Sequence, residues 1–447
     1  MFRKQKQTLL LLSVFLIVTF GLTAQEPIQL SLEEALQIAQ EKNTNVLNSQ
    51  LDLEIAQRKI KETIAMGLPH VDLKSAYQFL PKVPTISFGM PSDDPNAAPA
   101  EPIELGVKHN LTTDITASQL IFNGAYIVGV QASKVYYNLS LQNDEKTRLD
   151  VNETVTNTYQ MIQLSEESLK ILKQNLENVL KTKYEISEMY NQGFMEKTDV
   201  DQLEVTANIL RNSINQVESN LDMSYRLLKI QLGMEETTHV TLSDSTDTYE
   251  LLMLESNQLV QEQFMLEKNV DYKLVLTSKE LAELNLKVEK SNYLPVINGF
   301  YNRTQKLNTP AFDFTPKDLF GVNLSLPIFH SGQRKALIDQ RKLEVEKSEN
   351  TRLFISSSLI MQANQLKNDV DIKAERYKNQ KLSKELSEEI YLRTLEKYRQ
   401  GMATSLDLMN SQNQFLTNLT SYYQFMFELQ GAITKLEKLY NINQISN

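Results

Sequence analysis

The chain is 447 residues long, has a formal net charge of −10 at neutral pH and contains no cysteine. Zero cysteine excludes disulfides, thiol nucleophiles, cysteine-ligated metals and an N-terminal lipid-modified cysteine. The negative charge disfavours nucleic acid as a partner, and 41% hydrophobic residues suffice for one large core or several domains.

The first 24 residues have the pattern of a secretory signal peptide. Arg3, Lys4 and Lys6 precede the apolar run LLLLSVFLIVTFGL, and LTA offers a small-residue cleavage site before Gln25. The apolar run has about 14 residues and a membrane-spanning helix needs roughly 20, so a cleaved export signal is favoured over an anchor. No later apolar run approaches that length, which leaves short alternating strands as the remaining way to cross a membrane.

The first element predicted after the signal is a helix over residues 31–66. It begins with the capping-box pattern SLEE, in which Ser31 and Glu34 satisfy each other's free backbone N–H groups. Gly67 and Pro69 end it.

From His70 the hydrophobic period changes from helical to two, which predicts strands. HVDLKSAYQF and NLTTDITASQLIF form one candidate pair, and VINGFYNR and LFGVNLSLPIF form another. The proline- and acid-rich stretch between the first two predicts a long exposed loop over 80–108. Periodicity alone equally allows four amphipathic strands of a soluble sheet.

Two proline-free runs, from Gly124 to Asn191 and from Gly332 to Arg399, predict helices of about 68 residues each. Such a helix is roughly 100 Å long. Gly193 and Gly401 then permit the chain to reverse. The first returning helix has a heptad stripe of Val200, Leu203, Ala207, Leu210, Ile214, Val217 and Leu221. The second has Leu408, Ser411, Phe415, Asn418, Tyr422, Phe425 and Leu429. These stripes predict two antiparallel coiled-coil hairpins.

The landmarks of the first half recur in the same order in the second, which predicts a duplication. Glu41-Lys42-Asn43 recurs as Glu267-Lys268-Asn269, and Leu-Pro at 68–69 recurs at 294–295. IFNG recurs as IFHSG, and the corner YNQGFMEKTDV recurs as YRQGMATSLDL.

With these motifs in order, the chain closely resembles the TolC-like outer-membrane efflux proteins of Gram-negative bacteria. The motifs that carry the resemblance are SLEEALQIAQEKN, GLPHVDL, SQLIFNG, YNQGFMEKTDV, LPIFHSGQ and YRQGMATSLDL. The resemblance implies a mainly α fold with a membrane β-barrel: four strands and two long coiled-coil hairpins per protomer. A homotrimer then forms a 12-stranded barrel in outer-membrane lipid, and the helices continue it as a tunnel into the periplasm.

The resemblance also implies the function and partners. The chain is expected to be the exit duct of a tripartite efflux or type I secretion system, with a periplasmic adaptor and an inner-membrane pump as partners. Such a channel needs no catalysis, cofactor or metal of its own.

Two sets of site residues follow from the resemblance. The hairpin tips where an adaptor docks match Gln192, Gly193, Phe194, Gln400, Gly401 and Met402. The periplasmic gate matches Asp199, Asp407 and Asn410, of which the last stands where the family pattern has a second acid. The alternative for Asp199 and Asp407 is that they favour the positive N-terminal end of the returning helix.

Two other classes of function are weighed against the channel. An enzyme is disfavoured because the four histidines are scattered and no metal, phosphate-loop or nucleophile motif is present. A soluble periplasmic coiled-coil adaptor or scaffold would have one hairpin, whereas this chain has two.

The predicted organisation divides the chain at the motif boundaries. The segments are 1–24 signal peptide, 25–67 N-terminal periplasmic helix, 68–123 first strand pair with extracellular loop 80–108, 124–233 first hairpin with its tip near 193, 234–293 equatorial segment and short helix, 294–331 second strand pair, and 332–447 second hairpin with its tip near 401 and the C-terminus.

Overall fold

The computed structural model describes residues 28–86, 103–244, 259–310 and 313–442. The predicted signal peptide and most of the predicted loop 80–108 lie outside these residues. The chain forms two compact units. The helical unit comprises the described parts of Met1–Ser49, Glu145–Asn269 and Ser358–Asn447, and the sheet unit comprises those of Gln50–Asp144 and Val270–Ser357.

The elements follow the predicted two-fold repeat. Those of the first half are β1 (Ile28–Leu30), α1 (Leu32–Lys42), α2 (Thr44–Ala65), β2 (His70–Phe79), β3 (Thr85–Ile86), β4 (Ile103–Glu104), β5 (His109–Asn123), α3 (Gly124–Asn191), α4 (Lys197–Gln231) and β6 (Val240–Leu242). Those of the second half are a 3₁₀ turn (Leu266–Lys268), α5 (Val270–Ser291), β7 (Val296–Lys306), β8 (Asp318–Ser325), α6 (Gln333–Arg399) and α7 (Ser405–Leu439).

The single helix predicted over 31–66 is wrong, because the structure interrupts it at Asn43. Ser31 and Glu34 form the predicted capping box, with the Ser31 N–H donating to Glu34 Oε2 at 2.8 Å. Asn43 has extended backbone angles, φ −62° and ψ 131°, so the segment is two helices. The second repeat has the same break at Asn269, with φ −67° and ψ 133°.

The sheet unit contains one antiparallel four-stranded sheet in the order β2-β5-β7-β8. A bulge lies between Leu120 and Phe122, where the register of β5 against β7 shifts. The outer strands β2 and β8 each pair on one side within the described chain. Two-residue strands β3 and β4 pair with each other beyond β2 and β5.

The pairing register gives the sheet one polar and one apolar face. His70, Asp72 and Lys74 lie opposite Ser118, Thr116 and Asp114, which places them on the same polar face. On the other face, Tyr301 packs beside Phe320 with ring centroids 4.6 Å apart. Large side chains of the apolar face are exposed in the outer strands: Val71, Leu73, Tyr77, Phe79, Phe320, Val322 and Leu324.

Phe300 is an exception to the separation of polar and apolar faces. It pairs with Gly321 and lies on the polar face, where its ring covers the glycine so closely that a Cβ there would come within 2.5 Å of it. Phe300 therefore fills the space that Gly321 leaves, and it does not join the other aromatic residues on the apolar face.

The helical unit contains the two hairpins and three buried clusters. One cluster joins both hairpins near their tips, through residues such as Leu210 and Ile186 of the first and Phe415 and Tyr391 of the second. Another packs α1 and β1 against α3 and α4. A third joins α3, α6 and α7 around Met426 and Ile433.

The predicted stripe of the first returning helix is confirmed in its centre, where Leu203, Ala207, Leu210 and Ile214 are buried. The stripe of the second needs correction. Leu419 and Met426 are buried in place of Asn418 and Phe425. Asn418 is half-buried beside the stripe, where its Oδ1 accepts a hydrogen bond from Gln380 Nε2 at 3.0 Å. Full burial of this amide without a hydrogen-bond partner would cost free energy, which explains why Leu419 takes the buried position.

None of the helices in the described ranges is both long enough and apolar enough to span a bilayer.

Candidate functional site

The chain reverses at the first hairpin tip through a Schellman motif. Gly193 has φ +82°, a conformation that glycine adopts without steric cost. The Gly193 N–H donates to the Tyr190 carbonyl at 2.9 Å, and the Phe194 N–H donates to the Met189 carbonyl at 2.9 Å. These bonds satisfy the last carbonyls of α3 and fix the direction in which the chain leaves the helix.

The second tip has the same geometry. Gly401 has φ +72°, its N–H donates to the Tyr398 carbonyl at 3.0 Å, and the Met402 N–H donates to the Lys397 carbonyl at 2.8 Å. The repeated Tyr-x-Gln-Gly motif is therefore a helix C-terminus in both halves, as the sequence predicts.

Both tips present an apolar side chain to solvent directly after the glycine. Phe194 is 74% exposed and Met402 is 67% exposed. The flanking Gln192 and Gln400 are exposed as well, and Gln400 Nε2 donates to Glu396 Oε1 at 2.7 Å. The predicted docking residues thus lie together at the surface of each tip.

The acids after the tips cap the returning helices. The Glu196 N–H donates to Asp199 Oδ2 at 3.2 Å at the start of α4. At the start of α7 the bonds are reciprocal: the Thr404 N–H and Oγ1 donate to Asp407 Oδ2 at 3.0 and 2.7 Å, and the Asp407 N–H donates to Thr404 Oγ1 at 3.2 Å. The Thr404 hydrogen bonds lower the pKa of the Asp407 carboxyl. Asp407 therefore forms a complete capping box with Thr404, which is the helix-stabilising role given above as the alternative to a gate.

Asn410 takes no part in this capping box and is exposed on α7. The structure therefore brings Asp407 and Thr404 together and leaves Asn410 at the surface one turn later.

A buried tyrosine supports the tips from within. Tyr398 of the second corner is 1% exposed, whereas the matching Tyr190 of the first is 41% exposed. Burial, together with the negative charge of Asp199, raises the pKa of Tyr398 to about 12. The sequence motif is identical at the two positions and does not reveal this asymmetry.

Two charged contacts that sequence reasoning did not identify join the helices near the tips. Arg399 Nε lies 3.1 Å from Glu185 Oε2 and so links the two hairpins. The sequence also predicts a heptad stripe on α3, interrupted by Lys183 and made of Leu169, Leu172, Leu176, Val179, Ile186 and Tyr190. In the structure Lys183 contacts Glu204 of α4. Hydrogen bonds from Lys183, and from Arg211 at 3.2 Å, lower the pKa of Glu204. The interruption of the stripe at Lys183 was the signal for this pair.

The arrangement at the tips is one that suits binding to a partner surface. The described residues contain no group of three or more His, Asp or Glu side chains that is placed to hold a metal ion. Each tip has one exposed apolar residue, Phe194 or Met402, directly after the turn glycine. A carboxylate, Asp199 or Asp407, follows in the first turn of the returning helix.

Residues 268–441, which lie in the second repeat, match the family model described as outer membrane efflux protein. None of the curated proteins matches the chain. The match confirms the resemblance that the sequence motifs predict.

Solved structures are similar over nearly the whole chain. The outer membrane protein VceC from Vibrio cholerae has 13% identity and a TM-score of 0.69 over 93% of this chain and 97% of that one. The Campylobacter jejuni outer membrane channel CmeC has 15% identity and a TM-score of 0.71 over 96% and 92%. The Neisseria gonorrhoeae outer membrane channel MtrE, in its open state, has 15% and 0.69 over 92% and 88%. The chain therefore has the fold of these channels, which confirms the predicted architecture of four strands and two hairpins.

Proposed function

We propose that this chain, which has the fold of outer membrane channels and a second repeat that matches the outer membrane efflux protein family, is the exit duct of a tripartite efflux or type I secretion system. It passes substrates received from an inner-membrane pump and a periplasmic adaptor to the exterior. The chain itself performs no catalysis and needs no cofactor, because the pump supplies the energy.

The observation that carries the proposal is the four-stranded sheet. Its strands have 10, 15, 11 and 8 residues, close to the roughly 9–11 that cross a bilayer. Its apolar face is exposed, with Phe320 and Val71 more than two-thirds accessible. A sheet with that face belongs against lipid, and its outer strands need partners because unpaired strand edges do not occur in hydrocarbon.

A homotrimer meets both requirements. When β8 of one protomer pairs with β2 of the next, three copies of four strands close a 12-stranded barrel with no edge left. The apolar faces then contact outer-membrane lipid, and the polar faces line the pore. The long helices continue the pore into the periplasm.

The hairpin tips are the proposed docking surface for the adaptor. Phe194 and Met402 are exposed apolar residues held by a rigid Schellman turn, and interface anchors are enriched in such side chains. Three protomers present six tips of nearly equal geometry, which explains why the corner occurs twice in one chain. Gln192, Gly193, Gln400 and Gly401 shape the same surface.

The gate is proposed at the first turns of α4 and α7. Asp199 and Asp407 bring carboxylates there, and Asn410 completes the predicted set without charge. In the trimer these residues are proposed to narrow the periplasmic entrance.

Fractionation and gel mobility test the channel. We expect the protein in the outer membrane after washes with salt and with alkali, and on an unboiled gel we expect a trimer that boiling converts to a monomer. A protein released by alkali as a soluble monomer contradicts the channel and supports the adaptor or scaffold alternative.

Docking is tested by truncating both exposed tip residues. Phe194→Ala with Met402→Ala is expected to reduce export while the heat-labile trimer persists. The matched control is Ile230→Ala, which removes a side chain of equal exposure, 71%, at the other end of α4. Export that is reduced equally by the control removes the argument for the tips.

A further inference from the structure

The apolar face of the four-stranded sheet carries one ion pair. Arg303 of β7 lies between Ile115 of β5 and Asp318 of β8, so both charged residues are on the face that bears Tyr301 and Phe320. No other aspartate, glutamate, lysine or arginine of β2, β5, β7 or β8 lies on this face. Because an ionisable residue on a surface in contact with lipid is costly, its presence indicates a functional site.

The pair lies near the loop end of the sheet. Arg303 is three residues from the end of β7, and Asp318 is the first residue of β8. Leu73, which belongs to the same row of paired residues, lies six residues from the end of β2. The cost of a cation on the lipid face is highest at the bilayer midplane and is small near the interfaces. The position of the pair therefore matches the depth of lipid headgroups.

Both hydrogen bonds of this cluster end on one oxygen of Asp318. The Tyr301 hydroxyl donates to Asp318 Oδ1 at 2.6 Å, and Arg303 Nη1 donates to the same oxygen at 3.4 Å. Within the described ranges, neither Asp318 Oδ2 nor Nε and Nη2 of Arg303 makes a hydrogen bond. The two side chains are 56% and 45% exposed, for Arg303 and Asp318 respectively. One edge of the guanidinium and one carboxylate oxygen are therefore open to a ligand.

These open groups complement a phosphate that has a hydrogen-bond donor beside it. The Nε–Nη2 edge of arginine binds a phosphate through two parallel hydrogen bonds. Asp318 Oδ2 is an acceptor and so requires a donor, such as the ammonium or hydroxyl group of a headgroup. Tyr301 and Phe320 lie in the next row of the same face, with ring centroids 4.6 Å apart, and present an apolar surface to acyl chains.

We propose that Arg303 and Asp318 form a headgroup site for a membrane lipid that carries a phosphate and an adjacent hydrogen-bond donor. Arg303 binds the phosphate, Asp318 binds the donor, and the Tyr301 hydroxyl holds the carboxylate in position. The inference rests on the proposed function, because the apolar face contacts lipid only in the barrel of the trimer. It names the kind of lipid that the barrel holds at its loop end.

Phosphatidylethanolamine and phosphatidylcholine are matched probes for this site. Both are zwitterionic and have the same phosphate, but only the ethanolamine ammonium has N–H groups to donate. The purified trimer is mixed in detergent with equal amounts of the two lipids, with identical acyl chains, and bound lipids are counted by native mass spectrometry. We expect a preference of about tenfold for phosphatidylethanolamine, since one hydrogen bond between charged groups is sufficient for a factor of that size.

Variants of the pair assign the preference to its residues. Asp318→Asn is expected to remove most of it, because a neutral amide is a weaker acceptor for an ammonium group. Arg303→Gln is expected to reduce the binding of both lipids, and Arg303→Lys, which retains the charge without the fork, is the second variant if Arg303→Gln does not assemble. Arg58→Gln on α2 is the matched control, since it removes an exposed guanidinium that also pairs with a carboxylate, that of Glu54.

The outcomes separate this proposal from the channel itself. A heat-labile outer-membrane trimer that binds both lipids equally overturns the headgroup site and leaves the channel intact. Equal loss of lipid in Arg58→Gln also overturns the site, and so does displacement of the lipid by millimolar inorganic phosphate, which indicates a site for free phosphate. If neither Arg303 variant forms the trimer, the pair is a contact between protomers and the proposal fails. A soluble monomer overturns both the site and the channel.

Discussion

Asp199 and Asp407 lie three residues after the N-caps of their helices, where a carboxylate stabilises the helix. In the proposed channel the same carboxylates also add charge at the pore entrance. Substitution by glutamine separates the two roles, since glutamine retains the reach-back hydrogen bond of a capping box and removes the charge. If the charge forms the gate, both the double alanine and the double glutamine variants of Asp199 and Asp407 raise ion leakage through the trimer in planar bilayers.

Leakage that rises in the alanine variant alone assigns the effect to capping. Unchanged conductance in both variants contradicts the gate. Asn413→Ala serves as the control, because it changes an exposed, uncharged residue of α7 that lies outside the proposed gate.

Glu349 provides a prediction about pH. Hydrogen bonds from Arg352 at 2.6 Å and from Lys279 at 2.9 Å lower the pKa of this carboxyl to about 2. The folded pKa lies below the unfolded value of roughly 4.3, so the stabilisation is present above that value and is lost as pH falls towards 2. Glu349→Gln is expected to show a smaller loss of thermal stability between pH 5 and pH 2.5 than the parent protein.

Circular dichroism melts at both pH values measure this difference. Glu346→Gln, which replaces a nearby exposed carboxylate, is the matched control. An equal acid sensitivity of the parent and Glu349→Gln contradicts the prediction.

The repeated Glu-Lys-Asn motif joins elements within the helical unit. Asn43 Nδ2 donates to the Gln231 carbonyl at 2.7 Å, and Asn269 Nδ2 donates to the Leu439 carbonyl at 2.9 Å. Both asparagines are buried, and each bonds the last residue of a returning helix. The motif therefore ends a short helix and satisfies the C-terminus of a long one.

Asn43→Ala is expected to destabilise the protein by about 1–3 kcal/mol, because it leaves a buried carbonyl of α4 without its partner. Denaturant unfolding measures the change. Asn45→Ala, at an exposed position two residues later, is expected to stay within about 0.5 kcal/mol of the parent. Similar losses from both substitutions contradict the role assigned to Asn43.

Gly401 supports a second prediction at the scale of an element. A Cβ at this position meets nothing within 4 Å, so its cost comes only from the positive φ. Gly401→Ala is expected to destabilise the second hairpin by about 1 kcal/mol, the left-handed strain being partly offset by lower entropy of the unfolded chain. Gly401→Asn is expected to cost less, because asparagine tolerates this conformation. Hydrogen exchange near the tip measures the difference, and equal exchange in the two variants contradicts it.

The long helices, the corners and the strand pairs follow from local signals, and the sequence predicts them well. Proline-free runs and terminal glycines predict α3 as Gly124–Asn191, which is its extent in the structure. The break at Asn43 was missed because no glycine or proline marks it, and its cause is the carbonyl of a residue 188 positions away. The shift of the stripe to Leu419 has a similar origin in the bond between Asn418 and Gln380.

In the candidate site, too, the sequence predicts the local features and misses those that depend on packing between distant segments. The tip glycines are predicted by turn chemistry, but the burial of Tyr398 depends on packing between the two hairpins. The sequence cannot reveal this, because the motif is the same at Tyr190.

At the scale of the whole molecule, the two faces of β2 have opposite expected environments. Leu73 lies on the apolar face and is 67% exposed in the single chain. In the proposed barrel this side chain contacts lipid, and a charged residue near the membrane midplane costs about 2–4 kcal/mol. Leu73→Arg is therefore expected to abolish the heat-labile trimer in the outer membrane.

The matched control lies three residues further along the same strand. Ala76 pairs with Thr112 on the polar face, so in the barrel its side chain faces water in the pore. Ala76→Arg adds the same charge and is expected to preserve the trimer, with altered conductance as the sign of its position. Because the two substitutions share strand, charge and size, only the face differs between them. Equal loss of the trimer in both variants contradicts the assignment of the faces, and retention of the trimer by Leu73→Arg contradicts the placement of the apolar face in lipid.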